Sequence, residues 1–129
     1  MHNIPGELQY TNQHIWIEPV GDGKYRAGIT DFAQDELGDV VFVELPEIDK
    51  EYAQEDECAV VESVKSTSDI YCPLTGKIVE HNPALDDSPE LINSDPYGEG
   101  WLFIFQAIDE TELENLIDAD AYTQLTEQE

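Results

Sequence analysis

The pattern of apolar and polar positions predicts a mostly β protein over the first two thirds of the chain. Apolar residues alternate roughly with polar ones over 14–20 and 24–29, which is the period of a half-buried strand. The Gly-Asp-Gly triplet at 21–23 separates these two stretches and is a turn signal, because glycine reaches positive φ without strain. The run 40–45 is continuously β-prone and stops before Pro46, which also indicates a strand.

Further strands are expected beyond this point, together with a few short helices. The strands are predicted at 58–64, 68–72, 77–80 and 101–106. Positions 30 and 31 (Thr-Asp) are expected to cap a short helix over 32–37 that ends at Gly38. In the tail, helices are predicted at 109–117 and 119–125. The first tail helix has an apolar face formed by Leu113, Leu116 and Ile117.

Length and composition indicate a single domain. At 129 residues, of which 40% are hydrophobic, the chain can bury a core without metals or disulfides. No apolar run approaches the roughly 20 residues that a membrane-spanning helix needs. The first six residues lack the basic and apolar stretches of a signal peptide. We therefore expect one domain over residues 1–129, located in the cytoplasm, or in the mitochondrial matrix if it is a processed eukaryotic form.

The charge balance excludes some classes of partner. Thirty acidic residues against five basic ones give a formal net charge of −25. Such a surface repels phosphate backbones and anionic membranes, so we expect neither nucleic acid nor membrane as a partner. Basic patches on partner proteins are favoured, although the charge can equally serve solubility alone.

Lys65 stands out as a lone cation at the centre of a polar segment between two β-prone runs. It is the only basic residue between Lys50 and Lys77, and Glu62 and Asp69 lie close to it in the sequence. A lysine at a hairpin tip offers an exposed primary amine on a long stem, as a covalently attached cofactor requires. A catalytic lysine would instead need burial or neighbouring cations. The spacing alone leaves two interpretations open, a modification site and an ordinary surface lysine.

The two cysteines, Cys58 and Cys72, form neither a CxxC pair nor a zinc-binding spacing. Each is seven residues from Lys65, so a hairpin with Lys65 at its tip can bring them face to face. Free thiols are expected, and a functional disulfide is the alternative.

No metal site is predicted. The histidines lack ligand spacing; they are His2, His14 and His81. The acidic pair 86–87 lacks the glycine and ligand pattern of an EF-hand and is expected to be a solvated loop. The segment 88–90 (Ser-Pro-Glu) resembles a helix start with proline at the first position.

Four segments together resemble a known family. Residues 61–70 (VESVKSTSDI) closely resemble the lipoyl-lysine motif of glycine cleavage H proteins. Residues 25–45 (YRAGITDFAQDELGDVVFVEL) and 91–101 (LINSDPYGEGW) are similar to two further signatures of that family. Residues 112–122 (ELENLIDADAY) are similar to its helical tail. The segments occur in the family's order and spacing over essentially the whole chain.

The resemblance implies a fold and a role. The expected fold is a hammerhead-like β-sandwich of the lipoyl and biotinyl carrier type, with short helices in the middle and at the C-terminus. The expected role is a non-catalytic carrier, whose lipoyl group takes an aminomethyl group from a pyridoxal-phosphate glycine decarboxylase to a tetrahydrofolate-dependent aminomethyltransferase. A flavin-containing dihydrolipoyl dehydrogenase would reoxidise the group, and a lipoate ligase or lipoyltransferase would attach it.

Carried onto this sequence, the resemblance makes Lys65 the lipoyl attachment residue. Biotinyl domains place their lysine between methionines, whereas Val64 and Ser66 flank it here. His14 corresponds to a structural or cleft position. The flanking residues implied to position the lysine or its arm are Glu62, Ser63 and Asp69.

Two positions depart from the family pattern. Between His14 and Trp16 the family usually has glutamate, and at the helix start it has histidine; this chain has Ile15 and Phe32. Both belong, in the family, to the cleft that shelters the loaded arm, as does the retained Asp69. An H-like relay protein that donates lipoate to other enzymes is therefore an alternative function. An unmodified acidic interaction module is another, whereas an autonomous enzyme lacks a nucleophile–base pair.

Overall fold

The computed structural model describes residues 4–127 and contains two antiparallel β-sheets with short helices. The strands are β1 (Gln9–Tyr10), β2 (Ile15–Gly21), β3 (Lys24–Ile29), β4 (Val40–Glu44), β5 (Glu51–Tyr52), β6 (Glu57–Ser63), β7 (Thr67–Tyr71), β8 (Gly76–His81) and β9 (Phe103–Ala107). The helices are α1 (Asp31–Leu37), α2 (Ala84–Asp87), α3 (Leu91–Ser94) and α4 (Ala119–Glu127), with a 3₁₀ helix at Glu110–Asn115. The larger sheet has the order β1-β2-β3-β9-β8-β5, and the smaller one β4-β6-β7.

The alternation of side chains along the strands produces one main core and one smaller cluster. Ile15 and Ile17 point from β2 into the main core, which also contains Val43, Val61 and Ile70 from the smaller sheet. Trp16 points to the opposite side of β2 and packs with residues of the smaller cluster, which are Leu8, Tyr10 and Tyr122. The predicted mostly β sandwich with short helices is therefore confirmed.

The capping signals around α1 give the predicted helix. The Thr30 side chain accepts a hydrogen bond from the Ala33 amide at 3.2 Å, and the Gly38 amide closes the helix by donating to the Gln34 carbonyl at 3.0 Å. Gly38 has a φ of +82°, a conformation that glycine adopts without strain.

The first tail helix was predicted in the wrong form. The segment 110–115 is a 3₁₀ helix, and Leu116 is already extended, with φ −90° and ψ 162°. Ile117 instead pairs with Tyr10, each donating its amide to the other's carbonyl at 2.8 Å. The residues of the predicted apolar helix face are therefore divided between the main core and the smaller cluster, because the backbone pairing of Ile117 with Tyr10 replaces the last helical turn.

Three other helical expectations have mixed outcomes. The second tail helix is confirmed as α4. The acidic pair 86–87, predicted as a loop, belongs to the single helical turn α2. The helix expected to start at 88–90 begins at Leu91, so this boundary is wrong by up to three residues.

Cys58 and Cys72 are buried, reduced and in contact with each other. Their hydrogen bond and their burial raise the pKa of the Cys58 thiol well above its usual range. The Cys72 thiol donates to the Leu74 carbonyl, with Sγ and O 3.0 Å apart. Cysteine reactivity requires an accessible thiolate, which is disfavoured by the raised pKa of Cys58 and by the burial of both side chains.

We therefore expect neither cysteine to react with iodoacetamide near pH 8 while the protein is folded. After unfolding in guanidinium, both Cys58 and Cys72 should react. Intact mass before and after alkylation counts the modified thiols. Rapid modification of one thiol in the native protein would show that this part of the core opens readily.

Candidate functional site

Lys65 lies at the exposed turn of the β6–β7 hairpin, as the sequence predicted. The last strand pair before the turn is Glu62 with Thr67. Ser63 organises the turn, because its amide donates to the Ser66 carbonyl at 2.8 Å. The Ser63 hydroxyl oxygen also accepts from the amides of Ser66 at 3.0 Å and Lys65 at 3.3 Å. These bonds give the lysine a defined backbone support.

The end of α1 and the start of β4 lie directly beneath the Lys65 side chain. A Cβ atom placed on Gly38 would be 3.2 Å from Lys65 Cε, so the absence of a side chain at Gly38 leaves room for the lysine stem. The Val64 amide donates to the Asp39 carbonyl at 3.0 Å and joins the hairpin to this segment. Within the described part of the chain, Lys65 forms no ion pair.

Asn93 holds the segment beneath the lysine in place. Its Nδ2 donates to the Gly38 carbonyl at 2.9 Å, and its Oδ1 accepts from the Val40 amide at 2.8 Å. Nδ2 also donates to Gln34 Oε1 at 3.0 Å. Sequence reasoning did not single out this residue. Its only signal was membership of the segment 91–101, which resembles a family signature.

A groove of about 460 Å³ opens beside the hairpin turn, between α1, the start of β2 and β7. Its apolar wall includes Phe32, whose ring stacks on His14 with centroids 5.0 Å apart. Glu36 supplies the one carboxylate among the lining residues. The lining is formed by Gln13, His14, Ile29, Phe32, Ala33, Glu36, Leu37, Ser66, Thr67, Ser68 and Ile70.

The structure separates the residues that the resemblance had grouped into one cleft. His14 and Phe32 line the groove, but Ile15 is 1% exposed and packs in the main core. Asp69 is not among the lining residues either. It pairs with Val60, whereas the adjacent Ser68 pairs with Val61 of the main core, so Asp69 points to the outer side of the sheet. Glu36 was missed, although it is four residues after Phe32 and therefore on the same helix face.

Tyr122 of α4 connects the C-terminal helix to the groove. Its hydroxyl oxygen is 2.7 Å from His14 Nδ1 and 2.6 Å from Thr30 Oγ1, within hydrogen-bond distance of both. Thr30 is fully buried and caps α1, which carries Phe32 and Glu36. The C-terminal helix thereby fixes two elements that form the groove.

Replacing Tyr122 with phenylalanine should lower the free energy of unfolding by about 1–3 kcal/mol, because the buried Thr30 and the half-buried His14 each lose a hydrogen bond. Urea unfolding measures the change. Tyr71→Phe is the matched control, since the Tyr71 hydroxyl makes no hydrogen bond within residues 4–127, and it should be nearly neutral. Equal stability of both variants would contradict the role given to the Tyr122 hydroxyl.

The described residues, 4–127, were also searched for metal-binding clusters and for membrane-spanning helices. No group of three or more histidine, cysteine, aspartate or glutamate residues there is arranged to hold a metal ion. His81 Nδ1 lies 2.9 Å from the Pro46 carbonyl oxygen, and His2 lies outside the described residues. None of the helices in this range is both long and apolar enough to cross a membrane.

Comparisons with known proteins agree and cover most or all of the chain. A family model described as glycine cleavage H-protein matches residues 8–129. Glycine cleavage system H proteins from two strains of Escherichia coli, O7:K1 and O45:K1, are each 55% identical over 129 residues, which is 100% of both chains. A crystal structure of a glycine cleavage system H protein from Mycobacterium marinum superposes with a TM-score of 0.86 at 41% identity, covering 94% of this chain and 97% of that one.

Proposed function

Because the chain belongs to the glycine cleavage H-protein family, we propose that its lipoyl group is attached by an amide to Nζ of Lys65. The protein is the lipoyl carrier of the glycine cleavage system and is itself non-catalytic. The observation that carries the assignment is the placement of Lys65, exposed on a turn that Ser63 and the Gly38 segment support.

The other lysines fit this attachment less well. Lys50 lies over the Tyr52 ring, with Nζ 5.1 Å from its centroid. Lys77 pairs with Asp49, with Nζ and Oδ1 3.8 Å apart, and Lys24 is half-buried within β3. Lys65 combines exposure, a hairpin turn and freedom from ion pairs within the described residues, as an acceptor for an acylating enzyme requires.

We propose that the groove beside Lys65 holds the cargo of the lipoyl arm, which is the aminomethyl group bound at its end. Lipoate supplies a disulfide that is reduced as it takes up the aminomethyl group left when glycine loses CO₂. The groove can enclose the end of such an arm between the apolar side chain of Phe32 and the polar side chains of Gln13 and His14. Glu36 can accept a hydrogen bond from the ammonium of the cargo, a role that Ile15 and Asp69 are not placed to fill.

The remaining predicted site residues receive distinct roles. Ser63 positions the lysine through the backbone of the turn, and His14 shapes the groove. Asp69 lies on the outer side of the smaller sheet, as does Glu62, which pairs with Phe42 and Thr67. There, Glu62 and Asp69 are available to partner enzymes rather than to the cargo.

Membership of the glycine cleavage system implies glycine decarboxylase and the aminomethyltransferase as partners. We propose that the former uses pyridoxal phosphate and the latter tetrahydrofolate, that dihydrolipoyl dehydrogenase reoxidises the arm, and that a lipoate ligase or lipoyltransferase attaches it. We further propose that residues 1–129 form one domain and that the protein works in the cytoplasm.

A reconstituted assay distinguishes this function from lipoate relay. Purified glycine decarboxylase should release CO₂ from glycine when it is supplied with the lipoylated protein, and should not do so with the unmodified protein. Failure to release CO₂, together with transfer of lipoate from Lys65 to another acceptor domain, would support the relay function instead.

A further inference from the structure

Three large apolar side chains are exposed around the lysine hairpin and take no part in the groove. Val41 is 53% exposed, Phe42 52% and Val64 69%. Val64 directly precedes Lys65, and Phe42 pairs across the sheet with Glu62, three residues before the lysine. We name these three residues the tip patch. A cluster of exposed apolar side chains beside a reactive group is typical of an interaction surface.

A β-bulge in β4 creates the tip patch. Val40 pairs with Ser63 and Phe42 with Glu62, so two steps along β4 match one step along β6. The extra residue is Val41, and the alternation of side chains is interrupted there. As a result, two consecutive apolar residues are exposed, whereas Val40 and Val43 on either side remain buried. A regular strand would have turned one of the two exposed residues inward.

The surroundings of the tip patch are acidic. Glu62 lies beside Phe42, and the next row across the smaller sheet places Glu44, Val60 and Asp69 side by side. The strands β4, β6 and β7 contain no basic residue, so Lys65 on the connecting turn is the one cation of the hairpin and its neighbouring strand. A complementary partner protein must therefore present an apolar surface that is surrounded by basic side chains.

We propose that the tip patch is the docking surface for the enzyme that acylates Lys65. The inference rests on the proposed function, since it assumes that Lys65 is the acceptor. In this step Nζ attacks the carboxyl carbon of lipoate, which a nucleoside triphosphate has activated as an acyl-adenylate. The new C–N bond forms, the bond between carbon and phosphate oxygen breaks, nucleoside monophosphate leaves with the electron pair, and the amine loses a proton.

The short reach of the unmodified Lys65 side chain favours the acylating enzyme, over the enzymes that act on the lipoylated arm, as the protein that binds the tip patch. An unmodified lysine extends only a few bonds from the turn, so the acylating enzyme must contact the residues immediately around it. Enzymes that act on the lipoylated arm reach their target at the far end of a much longer chain. They can engage the carrier at a greater distance from the tip patch.

The test compares steady-state acylation of the purified carrier and its variants by a bacterial lipoate ligase with lipoate and ATP. Phe42→Ser should raise the KM for the carrier about fivefold, as expected for loss of an exposed apolar contact residue, with kcat unchanged. Ile108→Ser is the matched control. Ile108 is 56% exposed and lies beside Thr75, past the end of β7 that is opposite the Lys65 turn. It should leave both constants unchanged.

Several results would overturn the proposal. An unchanged KM for Phe42→Ser would do so, as would an equal rise for Ile108→Ser. Normal acylation of Phe42→Ser followed by poor reduction of the lipoylated variant by glycine decarboxylase would assign the patch to that enzyme. If the wild-type protein accepts no lipoate on Lys65, the proposed function fails as well. If all variants are acylated normally, only the proposal of a docking surface is excluded.

Discussion

Replacing Lys65 with arginine should abolish lipoyl attachment and carrier activity while leaving the fold intact. A guanidinium is not a substrate for this amide formation, so the arm cannot be attached. Lys65 is exposed and, within the described residues, forms no ion pair, so the free energy of unfolding should change by no more than about 0.5 kcal/mol. Intact mass, CO₂ release from glycine and urea unfolding measure the three effects separately.

Lys77→Arg serves as the control for this substitution. Lys77 is also an exposed lysine, but it lies on β8 and pairs with Asp49. That variant should take up one lipoyl group and support glycine cleavage at the wild-type rate. A Lys65→Arg protein that still carries lipoate or still supports cleavage would exclude Lys65 as the attachment residue.

Replacing Glu36 with glutamine should shorten the half-life of the aminomethyl cargo on the carrier about tenfold in the absence of the transferase. A hydrogen bond from an ammonium to a partly shielded carboxylate contributes about 1.5 kcal/mol or more, which corresponds to roughly tenfold in rate. Loss of that bond makes it easier for the amine to lose its proton and expel the sulfur. Release of the one-carbon unit as formaldehyde measures the half-life.

Asp69→Asn is the matched control, since it also converts one carboxylate to an amide. The family resemblance implied that Asp69 belongs to the cleft, but its position on the outer side of the smaller sheet removes it from the groove lining. The half-life of the cargo should therefore be unchanged. A shortened half-life with Asp69→Asn and a normal one with Glu36→Gln would reverse the roles assigned to these residues.

Local signals predicted much of the fold. Alternating apolar residues located β2 and β3, and the Gly-Asp-Gly triplet between them adopts positive φ at all three positions. The cap at Thr30 and the stop at Gly38 located α1, because capping depends only on neighbouring backbone groups. The hairpin position of Lys65 was predicted for the same reason, since a polar centre between two β-prone runs is a hairpin signal in itself. Its role as an attachment residue was implied only by the family resemblance.

Features that depend on distant parts of the chain were not predictable in this way. The 3₁₀ form of 110–115 follows from the pairing of Ile117 with Tyr10, more than one hundred residues away. The support that Asn93 gives to Gly38 requires α3 to pack beside α1. Glu36 becomes a groove residue only once the β6–β7 hairpin is placed opposite α1. Such contacts depend on tertiary packing, which periodicity and capping do not describe.

Peptide mapping of the protein isolated from a host with active glycine cleavage tests the central claim most directly. Digestion and tandem mass spectrometry locate any acyl group on an individual lysine. We expect one lipoyl amide on Lys65, and none on Lys24, Lys50 or Lys77. A lipoyl group on one of those three lysines, or a Lys65 that remains unmodified while the host cleaves glycine through this protein, would contradict the assignment.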